Sequence, residues 1–97
     1  MNNEEIYFNS FPFLLHKITS NIRYIFLETV DDKIVVTGCY ADKPNEIEVE
    51  LLEDISDSIA GMIKDNRSVT TSYIISQQEY ASGMHPGYLL YARYEGF

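Results

Sequence analysis

This 97-residue chain contains one cysteine and two histidines. A Cys-His pair could be drawn only from Cys39 with His16 or His85, because a neighbouring imidazole is what activates a thiol for attack. Cys39, however, lies in the apolar run from Ile34 to Tyr40, where a buried thiol behaves as a small hydrophobic side chain. The pattern therefore favours a packed thiol over a catalytic one.

Metal and phosphate sites also lack their usual sequence signatures. A zinc site needs three or four closely spaced ligands, and the turn residues Asp31, Asp32 and Asp42 lack the alternating pattern of a calcium loop. The glycine-rich phosphate loops and the G-x-S-x-G elbow are missing as well. We therefore expect no catalytic residues, no metal and no cofactor, and rank a small hydrolase or transferase last.

Carboxylates are the most prominent chemical groups. The chain has 15 acidic and seven basic residues and a formal charge of −8, which predicts repulsion from nucleic-acid phosphates. Six of the acids fall within twelve residues that contain no Lys or Arg, namely Glu46, Glu48, Glu50, Glu53, Asp54 and Asp57. Solvated surfaces usually mix charge signs. This segment therefore favours binding of a basic macromolecule over a purely solubilising role.

Tyrosine is the second feature that suggests binding. Eight tyrosines are present and tryptophan is absent. Tyr73 and Tyr91 lie in strand-like runs, so we expect them to pack across a sheet. Tyr80, in a polar connector, and Tyr94, near the carboxyl end, have less packing support, and exposed tyrosine is common at interface hot spots. We predict that Tyr80 and Tyr94 help to anchor a partner.

The elements that position these residues follow from hydrophobic periodicity. The run Glu46–Leu51 alternates acids with aliphatic residues and is interpreted as a strand, with Ile47, Val49 and Leu51 inward and Glu46, Glu48 and Glu50 in one outward row. The same residues also fit a helical stripe that continues to Ile63. The predicted elements are a first helix at Asn9–Asn21, strands at Arg23–Val30, Ile34–Tyr40 and Glu46–Leu51, a second helix at Glu53–Asp65, and strands at Val69–Ser76 and Tyr88–Tyr94.

This order, α-β-β-β-α-β-β, predicts an α+β domain with a mostly antiparallel sheet of four or five strands and two helices on one face. Residues 1–97 are expected to form one domain, of which only the first five to eight residues are expected to be dispensable to the core. A single cysteine favours the reducing cytoplasm. No secretion signal or membrane span is recognisable.

The acidic run from Glu46 to Asp57 and the tyrosines near the carboxyl end resemble the bacterial immunity proteins that neutralise colicins and contact-dependent growth-inhibition toxins. That resemblance implies a cognate toxin as partner, often a basic nuclease whose cleft or adjacent surface is covered by carboxylates. The alternative is a small accessory or regulatory subunit that docks through a sheet edge or a helical face, or forms a homodimer. Sedimentation of the purified protein would distinguish a homodimer from a monomeric inhibitor.

Overall fold

A hairpin of two long strands forms the centre of the molecule. A computed structural model describes residues 2–64, 66–76 and 87–92. The elements in chain order are α1 (Asn3–Ser10), a 3-10 helix (Phe11–Leu14), β1 (Ile22–Val30), β2 (Lys33–Tyr40), α2 (Glu46–Ile63), β3 (Ser68–Ile75) and β4 (Tyr88–Ala92). The predicted hairpin and the two later strands are therefore confirmed to within two residues at each described boundary.

The four strands form one mixed sheet in the order β3-β2-β1-β4. β1 pairs antiparallel with β2 and with β4, whereas β2 and β3 run parallel. The α+β class is confirmed, but the predicted element order and the mostly antiparallel sheet are corrected. The reason is that α2 is the only element between β2 and β3, and it returns the chain to the end of the sheet where β2 began.

The segment Glu46–Leu51 is the first part of α2, so the strand predicted there is wrong. Asn45 caps the helix: its side-chain oxygen accepts a hydrogen bond from the Glu48 backbone N–H at 2.8 Å. The Glu48 carboxylate in turn accepts one from the Asn45 N–H at 3.2 Å. This capping box satisfies two amides that would otherwise lack acceptors, so the helical periodicity prevails over the alternating one.

The first helix also begins earlier than predicted. α1 starts after Asn2, which forms a capping box with Glu5, and the interval predicted as one helix from Asn9 to Asn21 contains only the end of α1 and the 3-10 helix. Ile6 is fully buried. The prediction that the first five to eight residues are dispensable to the core is therefore wrong, because α1 contributes a core side chain.

Both helices share one core with the sheet. Its fully buried members include Ile6 of α1, Leu52, Ile55 and Ile59 of α2, and Ile25, Leu27, Ile34 and Val36 of the hairpin. Gly38 allows α2 to approach β2 closely, since a Cβ at this position would lie 3.0 Å from a methyl carbon of Leu52. Ile55, Ile59 and Ile63 of α2 face this core, and partly buried Met62 packs against it.

A second, smaller cluster lies on the opposite face of the sheet, where strand alternation directs Tyr24, Phe26 and Cys39. Cys39 is fully buried and its thiol is free, in agreement with the packing role inferred from the sequence. Among the described helices, none has both the length and the apolar character to cross a bilayer.

Candidate functional site

The outward side of α2 carries a row of carboxylates. Glu46, Glu50, Glu53 and Asp57 follow one another at helical intervals of four, three and four residues, and all four are exposed. This spacing places them on one side of the helix, over a length of about 16 Å. We call these four residues the acidic stripe.

Glu48 does not belong to this stripe. It lies on the side of α2 that faces the loop between the 3-10 helix and β1, and it is half-buried there. Its carboxylate accepts a hydrogen bond from the Thr19 hydroxyl at 2.9 Å as well as the capping bond from Asn45. Glu48 thus has a structural role. The predicted outward row of Glu46, Glu48 and Glu50 is corrected, because residues i and i+2 share one face of a strand but point to different sides of a helix.

Asp54 lies at the margin of the stripe and is already paired. Its carboxylate oxygen lies 3.1 Å from Nζ of Lys17, an exposed contact that links α2 to the loop after the 3-10 helix. This is the one salt bridge within the described part of the chain. Of the six acids predicted to bind a partner, four therefore form a continuous row, one is paired and one supports the helix start.

The acidic stripe has no basic neighbours along the helix. No Lys or Arg occurs between residues 46 and 63, and side chains three or four residues apart are about 5 to 6 Å from one another at Cβ. Like charges at these spacings destabilise a helix by a few tenths of a kcal/mol per pair. The stripe is therefore a mildly self-repelling row of carboxylates, a chemical arrangement that can pair with guanidinium or ammonium groups.

An exposed aliphatic side chain accompanies these charges. Ile47 is 66% exposed although it is apolar. It occupies the first turn of α2, seven residues before Asp54 and therefore on the same side of the helix as Asp54. The alternating pattern predicted an inward Ile47, because a strand would place it on the same side as Val49 and Leu51. The helix instead turns Ile47 towards solvent, where it can make an apolar contact with a partner.

Tyr80 and Tyr94, the two predicted anchors, lie outside the described residues. Among the described residues, Tyr73 on β3 is an exposed tyrosine, with 42% of its surface accessible. Its ring meets the ring of buried Tyr40 edge-to-face, with centroids 6.1 Å apart. From the local pattern we expected Tyr73 only to pack across the sheet, because that pattern does not show that β3 lies at the edge.

Tyr40 connects this edge to the start of α2. Its hydroxyl donates to the backbone carbonyl of Glu48, with an O–O distance of 3.4 Å. Burial of the ring, and secondly the negative charge of Glu48, raise the pKa of Tyr40 to about 12. Both causes disfavour the phenolate. Tyr40 therefore stays a neutral hydrogen-bond donor beneath the amino end of the helix.

The acidic stripe borders β3. The hydroxyls of Ser56 on α2 and Thr71 on β3 lie 2.6 Å apart, which fixes the helix beside this strand. Glu53 and Ala60 are the helical neighbours of Ser56 at three and four residues, and both are exposed. The acidic stripe thus adjoins an edge strand with an exposed tyrosine. Exposed Ile47, nine residues before Ser56, lies on the opposite side of α2 from that strand.

Comparison with known proteins identified one matching family. A family model described as MafI2 immunity protein matches residues 3–95 of this chain. That range includes both helices and all four strands. A search of curated proteins found no match.

Proposed function

The chain belongs to the MafI2 immunity protein family, and from this membership we propose that it neutralises a basic toxin domain by binding it through the acidic stripe. The family supports the coarser role, protection against a toxin. The stripe supports the finer one, because four exposed carboxylates in a row, with no basic residue on their helix, are the observation that most favours a cationic partner.

A nuclease is the toxin class that best fits this surface. Enzymes that cleave nucleic acids bind phosphates with Lys and Arg, and those cations also form strong hydrogen bonds with carboxylates. The stripe is held on a rigid helix, so its charges are positioned before binding. Pairing with cations would also remove the repulsion between neighbouring acids. We infer inhibition by occlusion, without any catalysis by this chain.

The apolar and aromatic residues next to the stripe would supply the remaining affinity. Long-range attraction mainly speeds encounter and selects the partner, whereas buried aromatic and aliphatic side chains contribute more to the lifetime of a complex. Ile47 and Tyr73 are exposed beside the stripe and suit this second role. Tyr80 and Tyr94 remain candidates for the same role.

The cellular setting is also a proposal. A single buried, unpaired cysteine suits a reducing compartment, so we propose that the protein meets the toxin in the cytoplasm. The net charge of −8 opposes direct binding to nucleic acid. In this scheme the chain protects nucleic acid only indirectly, by keeping the toxin away from it.

A charge-reversal experiment tests the proposal. The probe is a basic toxic domain that is captured with this chain from its source cells or found encoded in a neighbouring gene, purified as an inactive variant. Glu50→Lys with Asp57→Lys should lower the association rate at least about tenfold and weaken its salt dependence, because the stripe would lose its attraction for the basic surface. Stopped-flow or surface-plasmon measurements at several salt concentrations give both quantities.

The matched control is Glu28→Lys with Asp32→Lys. Each double variant moves the formal charge from −8 to −4, since every reversal adds two units. Glu28 and Asp32 lie on β1 and in the hairpin turn, outside α2. The control should retain most of the wild-type rate. Equal rates for the two variants would show that only net charge matters and would remove the stripe from the proposal.

A further inference from the structure

β3 presents an unusually open sheet edge. It is the outermost strand of the order β3-β2-β1-β4, and its register with β2 runs without interruption from Ser68 to Ile75. Its sequence, SVTTSYII, contains no charged residue, proline or glycine. Natural edges are usually blunted by charges, prolines, bulges or short strands, and β3 has none of these features.

The opposite edge differs in two of these respects. The described part of β4 comprises five residues, compared with eight in β3. Its pairing with β1 shifts register between Ile25 and Phe26, and such bulges hinder further strand addition. Of the two edges, β3 is therefore the one suited to accept another strand.

The backbone hydrogen bonds show which amides of β3 point outwards. Ser68 N–H donates to the Asp32 carbonyl at 3.2 Å, and Ser76 N–H donates to the Tyr40 carbonyl at 3.0 Å. In a parallel pair, alternate residues direct both N–H and C=O to the same neighbour. Even-numbered residues of β3 thus bond to β2, and the amides that point away from it belong to Val69, Thr71, Tyr73 and Ile75.

No strand within the described residues pairs with this outward row. The side chains at the same positions lie on the helix side of the sheet, as the contact between Thr71 and Ser56 shows. Tyr73 and Ile75 are 42% and 50% exposed there. An added strand would therefore gain both backbone hydrogen bonds and side-chain contacts at this end of β3.

Charge distinguishes the possible occupants. A second copy of this chain would bring another net charge of −8 and a second acidic stripe to the same edge, and like charges held together cost free energy. A cationic strand would instead be attracted, because Glu53 and Asp57 lie on the part of α2 next to Ser56 and the β3 contact. The edge and the stripe together fit a basic protein segment.

We infer that β3 adds a strand of the basic toxin domain to the sheet, so that the sheet continues from the immunity protein into its target. This inference rests on the proposed function and specifies how the two proteins join. Side chains on one face of a strand repeat every 6.6 to 6.8 Å or so, close to the roughly 6 Å between neighbouring acids of the stripe. Alternate basic residues of the incoming strand would face Glu53 and Asp57.

Residue-resolved amide hydrogen exchange of the labelled wild-type chain tests the inference directly. In the free protein, the Thr70, Ser72 and Ile74 amides should exchange slowly and the Thr71, Tyr73 and Ile75 amides quickly. Saturation with the toxic domain should slow exchange at the second group by about tenfold or more. A complex in which these three amides still exchange as fast as in the free protein would overturn the inference.

A pair of backbone variants provides the second test. Tyr73→Pro with Ile75→Pro removes two outward N–H groups and no ladder bond to β2, as proline permits on an edge strand. Tyr73→Ala with Ile75→Ala removes the same two side chains but keeps both N–H groups. The proline variant should bind the toxic domain at least about tenfold more weakly than the alanine variant, and equal affinities would contradict the inference.

The outcomes separate this inference from the proposed function. Binding that depends on Glu50 and Asp57 but leaves the β3 amides unprotected would refute strand addition alone, and the absence of any complex would refute both. Protection that grows with the concentration of the free chain would identify a second copy as the occupant and overturn the inference. If the proline variant fails to fold, the exchange measurement on the wild-type chain decides the matter.

Discussion

The inner and outer sides of α2 have opposite compositions although they belong to one helix. The inner side places Leu52, Ile55 and Ile59 against the sheet, each no more than 2% exposed. The outer side carries the acidic stripe and makes no salt bridge within the described residues apart from the flanking one at Asp54. One side therefore holds the fold together and the other is available to a partner.

This comparison implies that stability and binding can be changed separately. Burial of apolar side chains contributes most of the favourable free energy of folding, and solvated carboxylates contribute little to it. Substitutions on the inner side should therefore lower the free energy of unfolding. Substitutions on the outer side should change association with the toxin while the fold remains.

The largest expected effect comes from a matched pair of isoleucine truncations. Ile59→Ala should lower the free energy of unfolding by about 2 to 5 kcal/mol, because it leaves a cavity between α2 and the sheet. Ile47→Ala makes the same chemical change at a 66% exposed site and should stay within about 0.5 kcal/mol of wild type. Urea unfolding followed by circular dichroism measures both values. Equal losses would contradict the division between the two sides.

Alkaline pH should weaken the packing of the sheet against α2 at Tyr40, a residue of β2 whose hydroxyl donates to the Glu48 carbonyl. The unfolded chain releases this proton near pH 10, whereas the folded chain holds it to about pH 12, so this contribution to stability is complete below pH 10 and is lost as pH rises from 10 to 12. The loss should reach about 2 kcal/mol at pH 12. Urea unfolding at several pH values should show a steeper decline for wild type than for Tyr40→Phe, and parallel declines would contradict the assignment.

Neutralising the outer side should have the smallest effect on stability. Glu50→Gln with Asp57→Asn should change the free energy of unfolding by no more than about 0.5 kcal/mol, and any change should be an increase, because repulsion along the stripe is relieved. Thermal unfolding at low and high salt would measure this. A loss of more than about 1 kcal/mol would show that the stripe makes stabilising contacts, against its role as a free surface.

The hairpin was predictable from the sequence because its evidence is local. β-Branched and aromatic residues fill both arms, and Asp31-Asp32 occupies the turn between β1 and β2. The parallel pairing of β2 with β3 was not predictable in the same way. It depends on whether the intervening segment is a strand or a helix, and the residues of this segment satisfy both periods.

The starts of both helices did carry a signal that periodicity alone missed. Asn2 with Glu5, and Asn45 with Glu48, have the same Asn-x-x-Glu spacing, and both form capping boxes. The sequence itself contains this motif. Used as a signal for a helix start, it predicts the observed start of α1, and it predicts a helix and not a strand for the segment after Asn45.

The candidate site was predictable in composition and not in arrangement. The six acids were identified as a group, yet only the helical period selects Glu46, Glu50, Glu53 and Asp57 as neighbours. Asp54 forms a salt bridge with Lys17, which lies 37 residues earlier in the chain. Long-range contacts of this kind depend on the tertiary fold, and no local pattern encodes them.

The uncharged edge of β3 has a consequence for handling the protein in solution. Strand edges of this kind promote self-assembly, and mutual repulsion of net charge keeps copies apart. Near the isoelectric point, about pH 4.5, that colloidal protection disappears while β3 stays uncharged. The net negative charge that we propose to attract a basic toxin thus also opposes self-association of the unbound chain at neutral pH.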